Sequence, residues 1–151
     1  MTTRILHPLG NEGSFSTIFN RREYQPVGDL LSPVPGPELL YVYKHRDLNR
    51  YLLLLWLDTD PLGRRCYLLF PVNRKALQDY LCGKATLQSL IRISPKIEFL
   101  RISKGQYGMV TGSAQQIRFS DIAENYLPSN DSFLSRDIFN KDVADKLLAG
   151  M

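Results

Sequence analysis

Cysteine and histidine are scarce in this chain, and no apolar run is long. Cys66 and Cys82 are its two cysteines. Two are too few for a disulfide framework, and they supply half the ligands of a structural zinc site. Each sits beside apolar residues, which reads as two buried thiols in a reducing compartment. His7 and His45 are the two histidines. No Gly-x-Ser-x-Gly elbow is present, and no spacing pairs a cysteine with a histidine, so nucleophilic catalysis has no signature. The longest apolar stretch, Tyr51–Leu57, is far below the ~20 residues of a membrane helix. Met1–Gly10 holds one arginine and no run of signal-peptide length. These absences predict a soluble, cytoplasmic protein with no membrane contact and no cofactor. Internal repeats and low-complexity tracts are also lacking.

What is present is an ordinary globular balance: 44% hydrophobic, 11% aromatic and 23% charged residues. Disorder needs the opposite balance, and 151 residues suit one domain with a sizeable core. The charge is uneven. The net +4 divides into −1 over residues 1–38, +8 over 39–120 and −3 over 121–151. Either the acidic end lies over the basic middle and neutralises it, or the basic middle faces an acidic partner. The sequence pI of about 9.1 passes the usual mark for nucleic-acid binders, although the cations are less densely clustered than such proteins show.

Residues 1–38 read as an irregular segment, and residues 39–151 as one α+β domain. Gly10, Gly13, Ser14 and Ser16 interrupt any period, and Ser32-Pro-Val-Pro-Gly-Pro37 suits neither helix nor central strand. A short helical turn is placed over Ser16–Arg22 or Val27–Leu31. Leu39–Lys44 is rich in strand formers, and His45–Asn49 is a polar turn. Tyr51–Asp58 is apolar at nearly every position. Its length and turn-forming flanks predict a central strand buried on both sides. Asp58–Gly63 is a loop, and Arg65–Phe70 is a third strand that Pro71 stops. Asn73 then caps a helix with Ala76, Leu77, Tyr80 and Leu81 on one side and Gly83 at its end. Thr86 caps a second helix, closed by Pro95. Lys96–Ile102, Tyr107–Thr111 and Gln115–Phe119 follow as strands, with a turn at Lys104-Gly105. Ser120-Asp121 caps a short helix, and Asn140 a final one carrying Val143, Leu147 and Leu148. The expected architecture is a mostly antiparallel sheet of about five strands, with a two-helix unit on one face and a C-terminal helix.

Four patterns invite chemistry. His45-Arg46-Asp47-Leu48 spells the start of a kinase catalytic loop, but Leu52 stands where that loop needs asparagine, and no Asp-Phe-Gly follows. It reads as a hairpin turn. Gly10-x-x-Gly13-Ser14 lacks the lysine and the preceding strand of a phosphate loop. Asp58 and Asp60 sit near a strand end, where paired carboxylates can bind a divalent cation or act as acid and base. Asp-x-Asp-Pro is also plain turn chemistry, so the two are weak metal candidates. Last, tyrosines and cations interleave: Tyr41, Tyr43, Lys44, Arg46, Arg50 and Tyr51 near one hairpin, and Arg64, Arg65 and Tyr67 near the next loop. Such a surface can stack bases and meet phosphates, or form a protein interface, or consist of half-buried sheet tyrosines beside solvated turns.

Over Arg50–Ile93 the order is a strand ending in an acidic loop, a strand ending in Pro71-Val72, a helix, and a short Gly83…Leu87-x-x-Leu90 helix. This resembles a pattern of small, uncharacterised bacterial proteins. The resemblance covers under a third of the chain and implies a bacterial or phage-borne origin, with no activity and no functional residue. The expectation is a non-enzymatic interaction module that binds another macromolecule. A protein is the first choice, through Tyr43, Lys44, Arg46, Arg50, Arg64 and Arg65. An RNA- or DNA-binding accessory protein is the alternative, and a small metal-dependent hydrolase or nuclease using Asp58 and Asp60 is the second alternative.

Overall fold

A computed structural model describes residues 2–6, 24–31, 39–104, 110–135 and 137–151. In chain order it contains β1 (Thr2–Leu6), β2 (Tyr24–Leu31), β3 (Leu39–His45), β4 (Arg50–Thr59), β5 (Arg65–Asn73), α1 (Arg74–Leu81), α2 (Leu87–Ile93), β6 (Ile97–Lys104), β7 (Val110–Ile117) and α3 (Ile138–Ala149). The strands form one sheet in the order β1-β7-β6-β5-β4-β3-β2. Every neighbouring pair is antiparallel. The α+β class and the antiparallel sheet are as expected. Among the described residues the sheet has seven strands rather than about five.

β4 is central and covered on both faces. Leu53 and Leu55 point to one side and Leu54 to the other, each no more than 2% exposed. The first face meets the helices. There Leu53, Leu55, Leu68 and Phe70 pack with Leu77 and Tyr80 of α1, Leu87, Leu90 and Ile91 of α2, and Ala144 and Leu147 of α3. The second face gathers Tyr43, Leu54, Tyr67, Leu69, Leu100 and Ile102, with Trp56 and Tyr41 beside them.

The helices start where hydrogen-bonding caps permit. Asn73 Oδ1 accepts from Ala76 N at 2.8 Å, and Thr86 Oγ1 accepts from Ser89 N at 3.1 Å. These bonds satisfy amide groups that a helix start leaves orphaned. Gly83 at φ +78° ends α1, a conformation that needs no Cβ. The loop before α3 completes the cap of α2. Leu87 N donates to Ser132 O at 2.8 Å and Gln88 N to Ser132 Oγ at 3.1 Å, while the Gln88 side chain anchors the same loop by donating from Nε2 to Pro128 O at 2.8 Å.

Several boundaries differ from the sequence reading. Residues 1–38 supply both edge strands of the sheet, β1 and β2. Val27–Leu31 belongs to β2, and Ser16–Arg22 lies outside the described residues. β2 tolerates Pro26 because it is an edge strand with a bulge between Pro26 and Gly28. β5 runs through Pro71 to Asn73, since β6 pairs with it only as far as Leu69. Pro71 therefore lies where β5 has one neighbour and a missing N–H costs least. A single strand, β7, replaces the two expected over Tyr107–Thr111 and Gln115–Phe119, and residues 105–109 of the expected turn lie outside the described residues. Phe119–Asp121 is one 3-10 turn. α3 starts a turn before Asn140, because Asp137 Oδ1 accepts from Asn140 N at 2.9 Å. Cys66 is buried as expected, whereas Cys82 is exposed. Among the described residues, no helix is long and apolar enough to cross a membrane.

Candidate functional site

The antiparallel register sorts the predicted contact residues to opposite ends of the sheet. β4 holds ten residues, so at ~3.3 Å per residue its ends lie roughly 30 Å apart. Lys44, Arg46 and Arg50 fall at one end, and Arg64 and Arg65 at the other. Tyr43 joins the second core face and is 3% exposed. Lys44 is half-buried, and the other four cations divide between exposed Arg46, Arg50 and Arg65 and half-buried Arg64.

At the first end, the β3–β4 turn is built by His45. Its Nδ1 accepts from both Asp47 N and Leu48 N at 3.1 Å, which fixes the four-residue connection as a tight polar turn. Arg46 Nη1 donates to Gln25 Oε1 of β2 at 3.3 Å. Arg50 opens β4 opposite Asn73, so it stands beside the start of α1. That start carries Arg74 and Lys75 and no acidic residue in its first turn. Lys75 pairs with Asp79 at 3.0 Å, and Lys96 pairs with Glu98 at 3.4 Å. Among the described residues, Arg50 and Arg74 have no ion-pair partner.

A groove of about 320 Å³ opens at this end, lined by Asn49, Arg50, Pro71, Val72, Asn73, Ile93, Ser94 and Pro95. Its origin is a notch in the sheet. β5 continues past Leu69 after its pairing with β6 stops, and the α2–β6 link passes alongside. Ser94 Oγ holds that link by a shared donation to Pro71 O and Lys96 O, each at 3.0 Å. Ile93, 62% exposed, and Leu48, 48% exposed, stand as apolar groups among the cations.

The opposite end is occupied by local bonds. Asp60 Oδ1 accepts from Leu62 N and Arg64 N, both at 2.9 Å, and its Oδ2 accepts from Arg64 Nε at 2.7 Å. Partial burial alone raises the Asp60 carboxyl; the Arg64 and Leu62 donors outweigh it and hold the group below its ordinary pKa. This is the turn chemistry of Asp-x-Asp-Pro. Asp58 Oδ2 accepts from the Tyr126 hydroxyl at 3.0 Å. Cys66 is 1% exposed, and burial followed by the charge of Asp58 pushes its thiol pKa up. A raised pKa disfavours the thiolate that a nucleophile needs. Burial likewise raises Tyr67 to about 12, an effect that Arg65 partly offsets. Among the described residues, no group of three or more His, Cys, Asp or Glu side chains could hold a metal ion.

Three of the acidic side chains in residues 121–151 bond within that segment. Asp142 pairs with Lys146 at 3.2 Å, Asp137 caps α3, and Asp131 accepts from Ser129 Oγ at 2.7 Å. Asp121 reaches back to Arg118 at 3.2 Å.

Sequence reasoning found Arg46 and Arg50 but missed Asn73, Ile93, Ser94 and Pro95 as groove walls. One signal was available. Ile93 falls outside the Leu87–Leu90–Ile91 stripe of α2, so its apolar side chain had no place in the core. No family model matches this chain, and no curated protein or solved structure matches it either.

Proposed function

We propose that this protein is a non-enzymatic interaction module that binds a protein partner through the end of the sheet formed by the β3–β4 turn, the start of α1 and the α2–β6 link. One observation carries the reading: Arg50 and exposed Ile93 line a groove at this end, and Arg46, exposed Leu48 and Arg74 lie within three residues of its lining in the chain. Arginine is enriched among interface hot spots, and exposed apolar side chains grouped beside it add surface that a partner can cover. The site rests on a rigid strand pair and a capped helix, so little ordering cost attends binding.

Burial favours protein over nucleic acid as the partner. Tyr43, Tyr51 and Tyr67 are 3%, 2% and 1% exposed, which removes them as platforms for stacked bases. The hydrolase reading has less support, because Asp58 and Asp60 are tied to Tyr126 and Arg64.

The test is the variant Arg46→Glu with Arg50→Glu. Both positions are exposed, so stability is expected to move by no more than ~0.5 kcal/mol each. Co-purification of the partner from the native host is expected to be lost at an unchanged melting temperature. Retained co-purification would remove this surface from consideration. Retention of the wild type on nucleic acid, falling steeply with salt, would favour the nucleic-acid alternative.

A further inference from the structure

On the reading just given, the geometry points to the class of occupant: an extended acidic peptide segment, one carboxylate meeting the Arg50 guanidinium while an adjacent apolar side chain enters the groove between Val72 and Ile93. The lining divides by chemistry. Asn49, Arg50, Asn73 and Ser94 supply polar groups, and Pro71, Val72, Ile93 and Pro95 supply apolar surface. The lining contains no carboxylate. The charges next to it in the chain are Arg74 and Lys75 after Asn73, Arg92 before Ile93 and Lys96 after Pro95, with Asp47 in the turn; Lys75 and Lys96 are paired with Asp79 and Glu98, which leaves Arg50, Arg74 and Arg92 against Asp47. The charge complement of this end is therefore an anion.

The lining also separates kinds of anion. A polyphosphate backbone needs repeated cations along its track, and bases need exposed aromatic faces. The groove offers one guanidinium, no aromatic side chain and four apolar residues. One guanidinium matches one carboxylate through a planar two-pronged contact. A volume of about 320 Å³ is near the small end of the ~300–1,000 Å³ range of ligand pockets, which suits one or two side chains of a longer segment. Alternating side chains of an extended peptide place a charged and an apolar group in such a site within one strand's width.

The probe is a short fluorescent peptide alternating Glu and Leu, followed by anisotropy against the full chain. The comparison is the same peptide with Gln replacing Glu. We expect the Glu–Leu peptide to bind and the Gln–Leu peptide to bind more weakly by about tenfold at least, the loss expected for a charge-assisted contact. Arg50→Gln is expected to reduce Glu–Leu binding to the same degree, and Arg65→Gln, at the other end of the sheet, to leave it unchanged. If Arg50→Gln lowers the melting temperature, Ile93→Ser replaces it as the groove variant with the same expected loss. No binding of the Glu–Leu peptide, equal binding of the Gln–Leu peptide, or indifference to the groove variant would overturn the inference. So would tighter binding of a single-stranded oligonucleotide. These outcomes are separable from the fate of the basic-end reading. If the peptide fails while Arg46→Glu with Arg50→Glu still abolishes partner co-purification, only the peptide class is wrong.

Discussion

Tyr126 and Asp58 are joined across 68 positions of sequence by a 3.0 Å hydrogen bond from the phenol hydroxyl to Asp58 Oδ2. A bulge makes the contact. Trp56 pairs with Tyr67 and Asp58 with Cys66, leaving Leu57 unmatched between them. Strict alternation sends Asp58 to the same face as Trp56. The extra residue turns it to the helix-bearing face with Cys66 and Leu68, where Tyr126 stacks on Phe99 at 5.9 Å and reaches it. The carboxylate of Asp58 thereby ties the loop after β7 to the end of β4.

Tyr126→Phe is expected to destabilise the fold by about 1–3 kcal/mol, since Asp58 loses its partner in a partly desolvated place. Its other oxygen, Oδ1, is already buried without a hydrogen-bond partner. Urea denaturation of the two proteins measures the difference. A change below ~0.5 kcal/mol would mean that water replaces the phenol freely.

Alkaline pH is expected to unfold the protein. Burial raises the pKa of Tyr41, Tyr51, Tyr67, Tyr80 and Tyr126, with Tyr67 at about 12. In the unfolded chain these groups titrate near pH ~10. Between the two values the unfolded state binds fewer protons, so the stability these groups contribute is full below about pH 10 and is lost as pH rises through the folded values. Melting temperature measured across this range should fall steeply above about pH 10. A flat profile there would contradict the burial of these rings.

Gly28 sets how closely α3 lies on β2. A Cβ built there meets Val143 Cγ1 at 3.2 Å and both Leu147 δ-carbons at 3.5 Å. Gly28→Val is expected to cost about 1–3 kcal/mol through overpacking, and Gly28→Ala less, because the Val143 side chain can give slightly. Chemical denaturation of both variants should rank them in that order.

Leu53 and Leu54 are each 0% exposed and belong to opposite faces of β4. Each alanine substitution is expected to cost about 2–5 kcal/mol. A cost below ~1 kcal/mol for either one would show that its face is open to water.

Much of this architecture was legible in the sequence. The apolar run around Trp56 admitted a two-sided central strand, and Asn73, Thr86 and Gly83 marked helix ends through local bonds that need no tertiary context. The remaining features depend on distant neighbours. Pro71 reads as a stop until it is known that β5 has one neighbour there. Val27–Leu31 reads as a helical turn until β2 is placed at an edge of the sheet. Asparagine and aspartate both suit a helix cap; Asp137 caps α3, and Asn140 lies in its first turn. At the candidate site, Arg46 and Arg50 stand out as cations on a turn. The wall formed by Ile93, Ser94 and Pro95 arrives from more than forty positions away, by a register that local patterns do not encode. Division of the six contact candidates between two ends follows from the same register.

The most direct test sets the two ends of the sheet against each other in one partner-binding assay. Wild type, Arg46→Glu with Arg50→Glu, and Arg65→Glu are compared at matched melting temperature. The predicted result is binding lost in the double variant and kept in Arg65→Glu. Binding kept in the double variant, or lost only in Arg65→Glu, would contradict the assignment of the contact surface to the groove end.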